Sequence, residues 1–289
     1  MRGGQHQVLL LVKALQERGH ENIVLAREGG PLLQATSEAG IETLSAGLFQ
    51  TLRTSKRVDV VHAHDARAHT LAAAASGCPF VVSRRVAFPI RKSLASRWKY
   101  KRAARYLAVS KYVADELGRA GIDRDRIDII YDAVPEVDSG RWDARAPAVA
   151  LASHDPEKGR DLVAAAAKLA GIEVVFSTDI PADLRRAAMF VYITRSEGLG
   201  SAALLAMAMG IPVVASCTGG LAEVFEDGIS GVYTDNSVEQ IAACMKGIVS
   251  GVIPAEVLIG NARRLVATRY SQQQLVEQTL ISYGRALHG

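Results

Sequence analysis

Apolar positions fall into short solid runs separated by stretches where they recur every three or four residues, and this alternation repeats from end to end. "NIVLA" (22–26), "IETLSA" (41–46), "VDVVHAH" (58–64), "PFVVSRR" (79–85), "YLAVS" (106–110) and "IDIIYD" (127–132) read as strands. Between them, residues 5–18, "PLLQATSEAG", "TLAAAAS", residues 93–105 and "KYVADELGRAG" carry helical spacing, and Arg18-Gly19-His20 stops the first. A polar stretch with Gly and Pro, "EVDSGRWDARAP" (136–147), reads as a linker. The alternation then resumes. Strands are predicted at "AVALA" (148–152), "IEVVFS" (172–177), "MFVYIT" (189–194) and "PVVAS" (212–216). Helices are predicted at 158–170, 181–188, 200–209, 237–250, 254–268 and 271–287. Solid apolar strands alternating with helices predict an α/β fold with parallel sheets covered on both faces.

The 289 residues suit two domains, with the linker between them. Hydrophobic residues are 49% and aromatics 6%, which favours small-residue helices packed on parallel strands over a β-sandwich. The formal charge is +4. Cys78, Cys217 and Cys244 have no paired spacing and read as reduced thiols of a cytoplasmic protein, neither a disulfide frame nor a zinc site. No signal peptide is visible, and "QVLLLVKAL" is interrupted by Lys13 and too short to span a bilayer.

Ligands of parallel α/β sheets gather at the carboxyl ends of the strands, so the residues there carry the candidate chemistry. "MFVYIT" runs into Arg195-Ser196-Glu197-Gly198-Leu199-Gly200, where a helix begins at Ser201. Glycines let a ligand approach the backbone, and a new helix offers N–H groups suited to phosphate. Glu197 repels phosphate and suits sugar hydroxyls; the plainer reading is a tight turn with a solvated glutamate. Lys158-Gly159 opens the helix after "AVALA", where the ammonium can reach a diphosphate or stand in solvent. In "TGGLAEVFEDGISGVY" (218–233), Gly219 and Gly220 can face a ligand, and Glu223 can cap a helical turn. Gly3 and Gly4 are expected to form a loop before the first helix. His62 and His64 lie on one face of a strand, with Asp65 beside them; no third ligand is in evidence, so no metal is expected.

In order along the chain, Arg2-Gly3-Gly4, "ERGHE" (17–21), "DVVHAHD" (59–65), "LAVSKYVADEL" (107–117), "EKG" (157–159), "SEGLG…AMAMGIPVVAS" and "GGLAEVFEDGISG" resemble the retaining glycosyltransferases of family 4. The resemblance implies the GT-B fold, two Rossmann-like domains with parallel sheets facing across a cleft. An N-terminal acceptor-side domain would span 1–138. A C-terminal domain binding a nucleotide-diphosphate sugar would span 146–289, its last helix (271–287) crossing back. It also implies roles. Glu197 would hold the donor sugar's hydroxyls, Lys158 would neutralise the leaving diphosphate, and His64 would sit near the reacting sugar. Gly198, Leu199, Gly200 and Ser201 would offer backbone N–H groups; Gly3, Gly4, Gly219, Gly220 and Glu223 would complete the donor site. No metal and no cofactor beyond the donor substrate are implied.

The sequence departs from the family at three places. Leu205 stands where a second glutamate normally binds the ribose. Ser153 stands where an arginine normally shares the diphosphate, with His154 or Arg160 as substitutes. The family's first strand and a segment near 177–182 are not seen, as in a sequence whose start is placed late or in a reduced protein; a missing central strand would expose two sheet edges. From Arg84 through Arg85, Arg91, Lys92, Arg97, Lys99, Lys101, Arg102 and Arg105 the chain carries no acid, with Trp98 and Tyr100 interleaved. This reads as a solvated face or as attraction to an anionic membrane surface, in keeping with a glycan or lipid-linked acceptor in the cell envelope, such as lipopolysaccharide, and a peripheral location. Arg85 is an alternative holder of an acceptor phosphate. A small net charge and no reading motif argue against nucleic acid. The first expectation is a retaining glycosyltransferase. A non-catalytic GT-B binding partner is the alternative, and a sugar-nucleotide epimerase matches the motifs less well.

Overall fold

A computed structural model of the chain describes residues 3–90 and 93–289. In chain order its elements are α1 (Gly3–Glu17), β1 (Ile23–Ala26), α2 (Pro31–Glu38), β2 (Glu42–Ser45), α3 (Leu48–Thr54), β3 (Val61–Ala63), α4 (Ala66–Ala75), β4 (Phe80–Arg84), α5 (Leu94–Arg102), β5 (Arg105–Ala108), α6 (Lys111–Arg119) and β6 (Ile127–Ile129). There follow β7 (Arg141–Trp142), β8 (Ala148–Leu151), α7 (Arg160–Ala170), β9 (Val174–Ser177), α8 (Ile180–Asp183), β10 (Arg186–Ala187), β11 (Met189–Tyr192), α9 (Ser201–Met209), β12 (Val213–Ser216), β13 (Val232–Thr234), α10 (Val238–Ser250), α11 (Ala255–Arg269) and α12 (Gln272–His288). Residues 1–133 with 272–289 form one compact unit, and residues 134–271 form a second.

Several helices start where the sequence supplies a cap. Asp65, Ser93, Ser110, Asp179 and Ser237 each accept a hydrogen bond from the backbone N–H three residues on. Asp65 thereby caps α4, which begins earlier than "TLAAAAS" suggested.

The first unit holds two separate parallel sheets, β1–β2 and β3-β4-β5-β6. Leu11, Ala14 and Leu15 of α1 pack with Val81, Leu107 and, from α12, Leu275, Val276 and Ala286. Val8 and Val12 of the same helix pack on Val24, Ala26 and Ile41. Asp128 on β6 locks α12 in place. Its carboxylate accepts from Arg105 Nε (2.7 Å) and Nη2 (2.9 Å), from Ser282 Oγ (2.7 Å) and from Arg285 Nη1 (2.7 Å). Burial works against that charge, but Arg105, Ser282 and Arg285 outweigh it and hold the carboxyl below its usual range.

The second unit is a five-stranded parallel sheet in the order β13-β12-β11-β8-β9. The first strand, β8, lies inside. The chain steps outward to β9, then returns to β11 on the other side and continues through β12 and β13. The winding therefore reverses between β8 and β11, the kind of switch point where doubly wound sheets bind ligands. Ala148, Ala150, Met189, Val191 and Val214 form its core with Val163 and Ala166 of α7 and with Ile241, Met245 and Ile248 of α10.

Some expectations are corrected. Gly3 and Gly4 form the first turn of α1, not a loop before it. The stretch 136–147 is not a free linker. Its β7 pairs in parallel with β10, Gly140 N–H donates to Met209 C=O (2.8 Å), and Trp142 Nε1 donates to Ala188 C=O (3.0 Å). Residues 181–188 form the turn of α8 and the strand β10, not one helix. Helix α3 was not foreseen because its polarity is inverted. It buries Thr51 and Thr54 and exposes Leu48, Phe49 and Leu52, so apolar periodicity points away from the core. Strand β13 has three residues and is too short to register as a periodic signal.

Candidate functional site

Three loops converge in the second unit, each leaving the carboxyl end of a neighbouring strand. The loop after β8 carries Lys158, the loop after β11 carries Glu197, and the loop after β12 carries Gly219 and Gly220. Backbone bonds weld them together. Arg195 N–H donates to Glu157 C=O (2.8 Å), and Gly220 N–H donates to Glu197 C=O (2.9 Å). Behind them, Thr194 N–H donates to Ser216 Oγ (2.8 Å), whose hydroxyl donates to Asn236 Oδ1 (2.5 Å). Asn236 adopts φ +69°, a conformation asparagine tolerates better than most residues.

Lys158 Nζ lies 2.8 Å from Glu197 Oε2, so the cation and the carboxylate expected at this site share one place. Tyr192 OH donates to the same oxygen at 2.5 Å, and Gly198 N–H donates to Oε1 at 3.0 Å. Burial, then the Glu197 charge, pushes the Tyr192 phenol well above its usual value, so it stays a donor. Gly198 N–H is thus occupied by the Glu197 side chain, a difference from the free amide expected. The Leu199 side chain is buried in the core, leaving only its backbone for a ligand. Gly200 precedes α9 at φ +106°, with Leu221 Cδ1 only 2.6 Å from where a Cβ would sit, so no other residue fits. Helix α9 starts at the exposed Ser201 with no side-chain cap, which leaves its first N–H groups to solvent or ligand. At Gly219, φ is +53° and a Cβ would lie 2.5 Å from Glu197 C=O; glycine is what lets the third loop close on the glutamate.

The remaining residues singled out in the sequence have these surroundings. Glu223 ends the short 3₁₀ turn Gly219–Glu223 instead of capping its start, and its carbonyl accepts from Tyr270 OH (3.0 Å). Leu205 is half-buried on α9. Ser153 Oγ accepts from Asp155 N–H (3.2 Å). Arg160, a candidate substitute for the family arginine, has its guanidinium 4.8 Å over the Phe176 ring.

In the first unit, His62 and His64 leave β3 on one side with ring centroids 3.8 Å apart. His62 bridges Tyr283 OH (2.7 Å) and Ser83 Oγ (2.8 Å). Arg85 Nε donates to Asp132 (2.8 Å), and its Nη1 lies 3.3 Å from His64 Nδ1. A guanidinium only donates, so Nδ1 accepts and the neutral ring carries its proton on Nε2. Gly4 adjoins this group, its missing Cβ 4.0 Å from Arg85 Cδ, and Gln7 fixes α1 there through Ala133 (2.7 and 3.0 Å). Among the described residues no cluster of three or more His, Cys, Asp or Glu could hold a metal ion.

Burial, then Arg85, lowers His62 to about 3. Burial, His62 and Arg85 hold His64 well below its usual value. Burial, then Lys99, lowers the core histidine His69 to about 4. The unfolded chain therefore binds protons below about pH 6.5 that the folded chain refuses, and stability falls as pH drops through that window. Each such histidine removes at most about 1.4 kcal/mol per pH unit. Denaturant titrations at pH 7.5 and 5 should show the acid loss, and His69→Phe should reduce it; equal midpoints at both pH values would contradict the assignment.

The basic segment divides. Arg84 is structural: Nη1 donates to Tyr100 OH (3.0 Å) and Nη2 reaches Phe88 C=O. Arg97, Trp98, Lys101 and Arg102 are exposed, with Arg102 5.6 Å over the Trp98 ring. Arg91 and Lys92 lie outside the described residues. Sequence reasoning missed Tyr192, Asp132 and Tyr283. A phenol ending an otherwise apolar strand was the visible signal for the first; the others become partners only through chain folding.

The family model "Glycosyltransferase Family 4" matches residues 1–136, and the model "Glycosyl transferases group 1" matches residues 116–250. A D-inositol 3-phosphate glycosyltransferase of Mycobacterium marinum is 35% identical over 94 residues, 32% of this chain and 20% of that protein, so the match spans about a fifth of the relative's length. An uncharacterized glycosyltransferase of Methanocaldococcus jannaschii is 32% identical over 92 residues, 32% of this chain and 24% of that protein. Among solved structures, Anabaena HepE in complex with UDP and glucose superposes with a TM-score of 0.83 at 16% identity, covering 98% of this chain and 96% of that one. The lipopolysaccharide outer core galactosyltransferase WaaB superposes at 0.70 and 14% identity, covering 97% and 96%.

Proposed function

The chain belongs to the family 4 glycosyltransferases of the GT-B fold, and on that premise we propose that it moves a sugar from a nucleoside-diphosphate donor to a hydroxyl acceptor with retained anomeric configuration. The observation that carries this reading is the Lys158–Glu197 pair at the switch point of the second unit's sheet. As the sugar–phosphate bond breaks, positive charge grows on the sugar carbon and negative charge on the departing diphosphate. Lys158 and the uncapped start of α9 meet the diphosphate, with the lysine serving where a bound cation otherwise would. Glu197 accepts hydrogen bonds from sugar hydroxyls. Gly200 and Gly219 keep the backbone close enough for both.

The second carboxylate of the family pattern is Leu205, so ribose hydroxyl bonds worth about 0.5–1.5 kcal/mol each are made elsewhere or forgone. The non-catalytic alternative draws on Leu205 and Ser153, where two polar anchors of the family pattern are replaced. UDP is the first nucleotide to try, since HepE was crystallised with it. Calorimetric titration with UDP, GDP and ADP tests the reading. One of them should bind, and the matching labelled sugar donor should turn over. A protein that binds none of the three is not this enzyme.

The acceptor is assigned to the first unit. His64 Nε2–H and the Arg85 guanidinium are donors suited to hydroxyl or phosphate oxygen, in keeping with an envelope glycan or a lipid-linked acceptor. The α5 segment supports peripheral attachment at the cytoplasmic membrane face. The helix buries none of its residues fully, and it exposes Leu94 and Trp98, one turn apart, beside Arg97, Lys101 and Arg102. No single described helix is long and apolar enough to cross a membrane. Each cation near an anionic surface contributes about 1 kcal/mol. Flotation with phosphatidylglycerol vesicles should therefore carry the protein, and Arg97→Glu/Lys101→Glu should release it. Equal flotation with neutral phosphatidylcholine vesicles would contradict the electrostatic attachment.

A further inference from the structure

The Glu197 carboxylate has about four acceptor positions, two on each oxygen. Gly198 N–H takes one on Oε1; Lys158 Nζ and Tyr192 OH take both on Oε2. One position on Oε1 is open. Should Lys158 turn to a diphosphate, a position on Oε2 opens as well, and Tyr192 becomes the group that still orients that oxygen. The tyrosine is built for this. It is 5% exposed at the end of β11, its ring lies 5.6 Å from Phe190, and Gly200 leaves room beside its edge.

We propose that Tyr192 is a positioning residue for sugar recognition: it fixes the Glu197 carboxylate while Lys158 exchanges that carboxylate for the donor's diphosphate. The inference rests on the donor reading above. It implies a coupling within the site. The carboxylate is neutralised by the lysine before binding, and its acceptor capacity toward hydroxyls grows as the diphosphate draws the lysine away. Sugar recognition then depends on Tyr192 and diphosphate recognition does not. The raised phenol supports the assignment separately, since it leaves the hydroxyl protonated and able only to donate to a carboxylate.

The test compares two ligands on the same protein. Calorimetry measures the affinity of whichever of UDP, GDP and ADP binds, and of its glucose conjugate, for wild type, Tyr192→Phe and Lys158→Ala. A charge-assisted hydrogen bond is worth about tenfold in affinity. Tyr192→Phe should weaken the sugar conjugate about tenfold and leave the free nucleoside diphosphate within about twofold. Lys158→Ala should weaken both. In turnover, Tyr192→Phe should also raise the donor KM. Equal weakening of conjugate and diphosphate by Tyr192→Phe would assign the tyrosine a merely structural role and overturn the proposal. So would unchanged affinity for both. Failure of the wild-type protein to bind any of the nucleotides overturns the donor reading itself, and this inference with it.

Discussion

Lys158→Ala and Glu197→Ala should each lower kcat/KM for the sugar-nucleotide donor by about 10²–10³, the usual loss when one preorganised group aimed at transition-state charge is removed. The fold should survive both changes. The pair's side chains are 26% and 19% exposed, and an ion pair in contact with water contributes about 1 kcal/mol or less to stability. Activity and stability thus separate most cleanly in Lys158→Ala: assays with labelled donor should collapse while the urea midpoint moves little, whereas Glu197→Ala also leaves the buried Tyr192 hydroxyl without its acceptor and should lose about 1–3 kcal/mol. The two variants should also differ in kind. Without Lys158 the leaving diphosphate loses its cation, and both kcat and donor affinity fall. Without Glu197 the free nucleoside diphosphate should bind nearly as before, because only the sugar loses its acceptor. Wild-type turnover in either variant would remove the pair from the reaction.

Asp128→Ala should destabilise the first unit by about 3–5 kcal/mol, a large part of the 5–15 kcal/mol that holds an ordinary domain folded. Removing the carboxylate leaves Arg105, only 13% exposed, without its bidentate partner, and strips Ser282 and Arg285 of α12 of their shared acceptor. The contrast is Arg285→Ala. Arg285 is 57% exposed and Asp128 keeps Arg105, so that change should cost less than about 1 kcal/mol. Urea unfolding decides between them, and proteolysis near Ser271 should report the loosened helix. If Asp128→Ala shifts the midpoint no further than Arg285→Ala, α12 is held by Leu275, Val276 and Ala286 alone.

The sequence was most informative where structure is local. The helical spacing of "KYVADELGRAG" and of 237–250 marks α6 and α10, and the unbroken apolar runs of β8, β11 and β12 mark buried parallel strands. Lys158 and Glu197 were each recognisable as strand-end residues. That they share one site followed from the family resemblance and not from the pattern; their direct contact depends on β8 and β11 being neighbours, and strand order in a parallel sheet is set by crossovers that no periodicity records. The same reason hides the β7–β10 pair inside an apparent linker. Helix α3 was illegible for another cause: its threonines face inward and its leucines outward, so burial contradicts hydropathy. Tyr192 looked like an ordinary strand residue until its hydroxyl was seen on Glu197. Gly3 and Gly4 invited a loop reading because glycine disfavours helix, yet α1 begins on them.

The most direct test is a crystal structure of the protein with UDP-glucose or the matching nucleotide sugar. Lys158 Nζ should leave Glu197 for a phosphate oxygen within hydrogen-bond reach, and the Glu197 carboxylate should accept from sugar hydroxyls. A nucleotide sugar bound with Lys158 still on Glu197 and neither side chain touching it would contradict the account.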